Sequence, residues 1–215
     1  MPIWRITIAA FLVLLPSSLE AQAQEVIDRI AARVDTDIIL LSDVRELSRY
    51  QQFVDGRSET DAEILDRLID QWIVRAEAKA ALFPWPSDSE VQRSLERLKR
   101  FFSSPEAFEE RKKQIGLSDE DVRRMLQLQL YLSNYLDSRF RASIHIDEKA
   151  IQDFYQTRVV PRAESRGQTP PTLDAARDAI QEALVQRSID AQAEKWLKES
   201  RARLHVENLA SETPK

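Results

Sequence analysis

Arg29-Ile-Ala-Ala-Arg-Val-Asp-Thr-Asp-Ile-Ile-Leu-Leu-Ser-Asp-Val44 is the stretch that decides how the fold begins. It contains two short apolar runs, and the polar residues 35–37 separate them. Apolar runs of this length around an Asp-rich turn are typical of a β-hairpin. The stretch therefore predicts two antiparallel strands at the start of the folded chain.

A helix is predicted directly after the hairpin. Ser42 is followed by Asp43, and a serine cap followed by acids suits a helix N-terminus, where free N–H groups and the helix dipole favour negative charge. We expect this helix to continue to about Val54, with Gly56 as its stop.

The clearest helix is predicted from Ser58 to Leu82. Its apolar residues recur at steps of three and four and form one stripe along a helix surface. They are Ile64, Leu65, Leu68, Ile69, Trp72, Ile73 and Ala76. The prolines in Phe83-Pro84-Trp85-Pro86 end this helix, because proline removes a backbone donor and restricts the preceding residue.

Capping residues predict the helices that follow. Short polar side chains that accept hydrogen bonds from a first helical turn occur at Ser87 or Asp88, Ser104, Ser118, Asp147 and Thr172. Residues 158–172 contain three prolines and one glycine, so they are predicted as a loop. Residues 143–146 are predicted as extended, and the alternating stretch 203–206 is predicted as a closing strand.

The composition favours a mainly α protein. Glycine occurs only three times, which leaves few tight hairpins and no phosphate-cradling loop, while residues that favour helices are abundant. Cysteine is absent, so neither disulfides nor thiolate-bound metals support the fold. The net charge of −5 comes from interspersed acids and bases, without the basic face of a protein that binds nucleic acid.

The first 23 residues have the layout of a secretory signal. Arg5 is followed by an apolar run of about ten residues, and Ala21-Gln22-Ala23 provides a cleavage site. The run is shorter than the roughly 20 residues of a membrane-spanning helix, and an uncleaved anchor is the alternative. We expect an exported protein whose mature chain begins near Gln24 and which meets the membrane only through the cleaved signal.

No residue pattern indicates catalysis, a cofactor or a metal ion. His145 and His205 have no ligand-spaced partner, so each is interpreted as a histidine at the edge of a small sheet. Asp119-Glu120-Asp121 is interpreted as a helix start, and Ser42 has no nearby base that would make it a nucleophile. The chain is therefore expected not to be an enzyme.

Six aromatic residues in the N-terminal half are the candidates for contact with another polypeptide: Phe53, Phe83, Trp85, Phe101, Phe102 and Phe108. Aromatics at helical spacing usually pack inward, so most of the six are expected in the core. Phe101 and Phe102 are adjacent, and neighbours on a helix point about 100° apart, so they cannot both face one side. Replacing both by Ser is expected to weaken binding more than folding.

The order of the predicted elements resembles that of one known family. The hairpin at 29–44, the helix with Asp66-Arg67-Leu68-Ile69, the start at Leu117-Ser118-Asp119-Glu120, the stretch Ile146–Tyr155 and the final Arg203-Leu204-His205-Val206 follow one another as in SurA and PpiC-type periplasmic chaperones. The resemblance covers nearly the whole chain after the signal. It implies a SurA/trigger-factor-like helical chaperone module in which the last strand pairs near the first hairpin.

That family usually carries a parvulin prolyl-isomerase domain between the helix near Tyr155 and the last long helix. Only about 16 residues join these helices here, and the histidines and glycine-rich turns of a parvulin domain have no counterparts. The resemblance therefore implies a module at 24–157, a linker at 158–172 where the isomerase would be inserted, and a helix and strand at 173–207 that pack back on the module. A disordered tail is expected at 208–215.

The function that the resemblance implies is an ATP-independent holding chaperone for unfolded polypeptides in the periplasm, with outer-membrane protein precursors as clients. One alternative is a structural or assembly subunit that binds a specific partner, and another is a homodimer that swaps elements. A residual prolyl isomerase is a third. A concave apolar patch between the N-terminal helices would favour the chaperone.

Overall fold

The computed structural model of the chain describes residues 28–209. The predicted signal at 1–23 and residues 210–215 of the predicted tail lie outside the described residues. The fold is mainly α with a small antiparallel sheet, as predicted. In chain order its elements are β1 (Ile30–Val34), β2 (Asp37–Leu40), α1 (Leu41–Asp55), α2 (Asp61–Ala80), α3 (Asp88–Lys99), α4 (Pro105–Ile115), α5 (Asp119–Phe140), a 3-10 turn (Arg141–Ser143), α6 (Glu148–Phe154), a π-helical turn (Tyr155–Val159), α7 (Val160–Glu164), α8 (Leu173–Arg201) and β3 (Val206–Asn208).

The sheet joins the two ends of the described chain. Its strand order is β2-β1-β3, and both pairings are antiparallel. Val34 lies opposite Asp37 on β2 and opposite Val206 on β3. Asp35 turns the hairpin with a φ of 52°, and its N–H donates to the carbonyl of His205 at 2.9 Å. The predicted hairpin and its pairing with a closing strand are therefore confirmed.

The closing strand begins later than the sequence predicts. The alternating pattern places it at 203–206, whereas β3 runs from Val206 to Asn208. Beyond it, the N–H of Leu209 donates to the carbonyl of Ala31 at 2.9 Å. Asn208 therefore belongs to the sheet and Leu209 is hydrogen-bonded to it, so the prediction of a disordered tail was wrong for these two positions.

Side-chain caps start most of the helices. Ser87, Ser104, Ser118, Asp147 and Thr172 each accept a hydrogen bond from the backbone N–H three residues later, as predicted. These caps satisfy donors that have no partner within the first helical turn. The starts of α3, α4, α5, α6 and α8 are therefore set by local sequence.

Two other predicted helix starts were wrong. α1 begins at Leu41, so Ser42 lies inside the helix and is not its cap. The carboxylate of Asp43 instead reaches back and accepts a hydrogen bond from the N–H of Leu40 at 2.8 Å. α2 begins at Asp61 and not at Ser58, because the hydroxyl of Thr60 caps it.

The segment 158–172 is helical in its first half and is not a continuous loop. Helical geometry continues from α6 through the π turn, where the N–H of Val160 donates to the carbonyl of Tyr155 five residues earlier. Pro161, which has no N–H to donate, lies in the first turn of α7 directly after this wide turn, and the wide turn accommodates its ring. Gly167, with a φ of 66°, then ends the helix and turns the chain toward α8.

Two apolar clusters hold these elements together. The larger one joins the hairpin to the inward faces of α1 to α5 and contains the fully buried Phe53. The smaller one joins α2 to α5 through residues such as Val74 and Tyr131. Trp196 and Leu197 of α8 pack against both clusters. The last helix therefore covers both clusters.

Ion pairs attach α8 to its neighbours. The guanidinium of Arg201 lies 2.9 Å from the carboxylate of Asp66 on α2. At the other end of α8, Glu182 lies 2.8 Å from Arg141, which also pairs with Asp137 of α5. Because these charges are largely exposed, each pair adds only modestly to the free energy of unfolding.

Candidate functional site

Three of the six candidate aromatics form one stack in the core. Phe53 and Phe108 are buried, and the ring of Phe102 stacks on Phe53 with 5.3 Å between centroids and meets Phe108 edge-on at 5.1 Å. The prediction that Phe53 and Phe108 contact a client was therefore wrong, because their side chains are out of reach. Phe102 is half-buried, and its ring also packs against the core.

Phe83 and Trp85 lie on another surface, over the aromatic residues of α5. Phe83 is half-buried, with its ring 6.0 Å from that of Tyr131 and 5.6 Å from that of Tyr135. Trp85 stacks on Tyr131 with 4.1 Å between centroids, yet the residue is 55% exposed. Trp85 therefore remains a candidate contact residue, whereas most of Phe83 is occupied by packing.

Phe101 stands at the edge of a groove between α1, α3 and α5. It follows the end of α3 by two positions, so the spacing argument for helices does not apply to it, and it is 87% exposed. The groove has a volume of about 400 Å³. Its apolar lining consists of Tyr50, Val54, Leu98, Phe101 and Leu126, and we call this surface the Phe101 groove.

The polar groups of the Phe101 groove are cationic or neutral. Arg97 and Arg100 lie along it, and no carboxylate of residues 28–209 lines it. The hydroxyl of Tyr50 donates to Oε1 of Gln129 at 3.1 Å. Burial, and after it the charge of Asp55, raise the pKa of Tyr50, so this hydroxyl stays neutral. The groove therefore suits apolar side chains that have acidic neighbours.

A second apolar cleft, which the sequence reasoning missed, lies between the hairpin, α1, α2 and α5. Its volume is about 240 Å³, and Ile38, Leu68, Trp72 and Met125 belong to its lining. The indole N–H of Trp72 donates to the carboxylate of Asp37 at 2.9 Å, and Ile38 is 50% exposed. Strand alternation, which turns Ile38 outward, is the sequence signal that could have found it. We call this surface the hairpin cleft.

Ionisable residues that resembled possible sites have structural roles. His205 lies beside β3, as predicted, whereas His145 lies between the 3-10 turn and α6, so its assignment to a sheet edge was wrong. Asp121 completes the cap of α5, and Asp119 pairs with Lys112. Within residues 28–209, no group of potential ligands is arranged to hold a metal ion, and no helix is both long and apolar enough to span a bilayer.

Comparison of the chain with models of protein families and with curated protein sequences finds no match. The protein is mainly helical, and it carries two grooves that each lie beside an exposed apolar side chain. Its function is therefore inferred from the physical properties of these surfaces.

Proposed function

We propose that the chain is an ATP-independent holding chaperone that binds unfolded polypeptides in the periplasm. The observation that carries the proposal is the Phe101 groove, where an aromatic residue is 87% exposed beside a concave apolar lining. Covering such a side chain with another polypeptide lowers the free energy of the system. The hairpin cleft, beside the half-exposed Ile38, adds a second surface, whose apolar lining residues are accompanied by the carboxylates of Asp43 and Glu46.

Weak contacts at separate surfaces suit a chaperone that has no ATP. Fully burying one large apolar side chain contributes only about 1.5–3 kcal/mol, so a single groove binds a segment weakly and releases it readily. Two surfaces that bind one unfolded chain raise the overall affinity without slowing each separate release. The concentration of free unfolded chains then falls at equilibrium.

Outer-membrane β-barrel precursors are the clients implied by the resemblance to SurA and PpiC-type chaperones. Their strands alternate apolar and polar residues and carry aromatic residues near the membrane surfaces, so the unfolded chains expose apolar groups in water. An apolar side chain of such a segment fits the Phe101 groove. An acid next to it would meet Arg97 or Arg100.

The test is suppression of aggregation of an unfolded barrel protein by the chain from Gln24 onward. We expect the wild type to suppress aggregation and the Phe101→Ser variant to be several-fold less effective. Leu82→Ser is the matched control, because Leu82 is 90% exposed but lines neither the Phe101 groove nor the hairpin cleft. No suppression by the wild type at several-fold molar excess would contradict the proposal.

Two further experiments separate the chaperone from two of its alternatives. A single stable complex in a pull-down, together with indifference to generic unfolded proteins, would favour an assembly subunit. A doubled mass in light scattering that depends on Ile38 or Phe101 would indicate that a second copy of the chain covers these surfaces.

A further inference from the structure

A concave surface lined by arginines lies between the π turn, α7, the loop that follows and α8. Arg158, Arg162, Arg166 and Arg187 line this cavity, whose volume is about 810 Å³. All four residues are exposed. The cavity shares no lining residue with the Phe101 groove or the hairpin cleft. We call it the arginine cavity.

The arginine cavity lacks negative charge. No Asp or Glu of residues 28–209 lines it, and none of its four arginines forms an ion pair with a residue in that range. By contrast, Arg141 and Arg177 pair with glutamates elsewhere around α6 and α8. The chain as a whole has a net charge of −5, so four unpaired arginines around a cavity that no carboxylate lines indicate a place for an external anion.

Three of these arginines come from one continuous stretch of the chain. Arg158 lies in the π turn, Arg162 lies in α7, and Arg166 lies in the turn that follows α7, whereas Arg187 comes from α8. The four guanidinium groups therefore surround one hollow from several elements, and a segment that carries several carboxylates can meet more than one of them.

The remaining lining favours a peptide over a lipid bilayer. Phe154, Pro161 and Pro171 add apolar area that can contact the backbone and the small side chains of a bound segment. The hydroxyl of Tyr155 donates to the carbonyl of Pro171 at 2.6 Å and holds the loop beside the helix. The cations thus line a hollow between two elements, whereas an interfacial helix presents them along one face.

We propose that the arginine cavity binds an acidic segment of a polypeptide, one that carries several carboxylates. Arginine suits this ligand because its planar guanidinium donates two parallel hydrogen bonds to one carboxylate. This site goes beyond the proposed function, because its arginines recognise the negative charge of a polypeptide at a surface separate from the Phe101 groove.

Fluorescence anisotropy with a labelled peptide of alternating Asp and Ser tests the proposal on the chain from Gln24 onward. We expect the double variant Arg158→Gln/Arg162→Gln to bind roughly tenfold more weakly. Arg187→Gln, on α8, is expected to weaken binding as well. Binding is expected to fall in 1 M salt, where the screening length shrinks to about 3 Å.

The matched control is Arg45→Gln/Arg49→Gln, which removes the same charge at the same spacing from exposed positions of α1. This variant should bind the acidic peptide as the wild type does, and a peptide of alternating Lys and Ser should not bind. Equal affinities of the two double variants, with thermal denaturation showing both folded, would overturn the proposal.

Binding to phosphatidylglycerol vesicles without binding to the acidic peptide would also overturn it, in favour of a lipid surface. The Arg158→Gln/Arg162→Gln variant is expected to suppress aggregation as well as the wild type does. The proposal for the arginine cavity and the chaperone proposal are therefore tested independently of each other.

Discussion

Phe101 and Phe102 are neighbours in the chain, but the first side chain lies in solvent and the second packs against the core. Phe101 is 87% exposed, whereas the ring of Phe102 packs against those of Phe53 and Phe108. A double replacement by Ser would mix two effects, because the loss of Phe102 opens the core while the loss of Phe101 changes only the groove. The two positions are therefore best tested one at a time.

Phe102→Ser is expected to lower the free energy of unfolding by about 2 kcal/mol, because a half-buried aromatic ring leaves a cavity beside Phe53. Phe101→Ser is expected to change it by less than about 0.5 kcal/mol, as is usual at an exposed position. Urea denaturation followed by circular dichroism measures both. Equal losses in the two variants would show that Phe101 also supports the core.

The carboxyl of Asp121 makes the free energy of unfolding depend on pH. The backbone N–H of Ser118, followed by its hydroxyl and then by Arg124, lowers the pKa of the Asp121 carboxyl to about 2. Because the folded-state pKa lies below the unfolded value of about 3.9, this carboxylate stabilises the fold above that value. The contribution is lost as the pH falls through about 2.

Asp121→Asn is therefore expected to lower the free energy of unfolding by about 1 kcal/mol at pH 7, as for other capping changes. The difference from the wild type should shrink as the pH falls from about 4 toward 2, because the wild-type carboxyl is then protonated as well. Urea denaturation of both proteins across this range is the measurement. A difference that stays constant with pH would rule out the charge as its cause.

At the scale of the elements, two glycines end helices under different constraints. Gly56 ends α1 with a φ of 72°, and Gly116 ends α4 with a φ of 76°. A Cβ at Gly56 would lie 2.7 Å from Nη2 of Arg111, whereas a Cβ at Gly116 would meet nothing within 4 Å. Arg111 cannot move away freely, because it donates to the carbonyl of Gln52 at 2.7 Å.

Gly116→Ala is expected to cost about 1 kcal/mol, from the left-handed backbone alone. Gly56→Ala is expected to cost about 2 kcal/mol, since the left-handed strain adds to a displaced hydrogen bond. Thermal denaturation of the two variants side by side isolates the second effect. Equal costs would mean that Arg111 adapts without loss.

For the whole molecule, α8 makes the interior continuous. Trp196 packs against both apolar clusters, and its ring also lies 4.8 Å from the guanidinium of Arg139 and 6.1 Å from the ring of Phe140. Because both clusters share this side chain, they should lose their packing together when the helix detaches.

Trp196→Ala is accordingly expected to lower the free energy of unfolding by about 3 kcal/mol while the transition stays single. Lys198→Ala, on the exposed side of the same helix, is expected to change it by less than about 0.5 kcal/mol. Urea denaturation with far-ultraviolet circular dichroism and tryptophan fluorescence checks both the size and the cooperativity. Separate transitions for the two signals would show that the clusters unfold independently.

A feature of this fold can be predicted from the sequence when the residues that cause it lie within a few positions of each other. The caps at Ser87, Ser104 and Ser118 act within one turn, and all three were found. The helix at 158–164 was missed because Pro161 normally ends a helix, and nothing in the sequence announces the π turn that accommodates it. Among the candidate aromatics, the burial of Phe53 depends on helices distant in sequence, which periodicity alone cannot place.

The order of strands in the sheet has a consequence for the unfolded chain. The central strand β1 lies at the start of the described chain, and its neighbour β3 is the last element of the described chain. Roughly 170 residues separate the two strands, so their pairing closes a long loop and is expected to form late in folding. Until then, one edge of β1 is open to pairing with other chains. Each copy thus passes through a brief period in which it needs the same protection that we propose it gives to others.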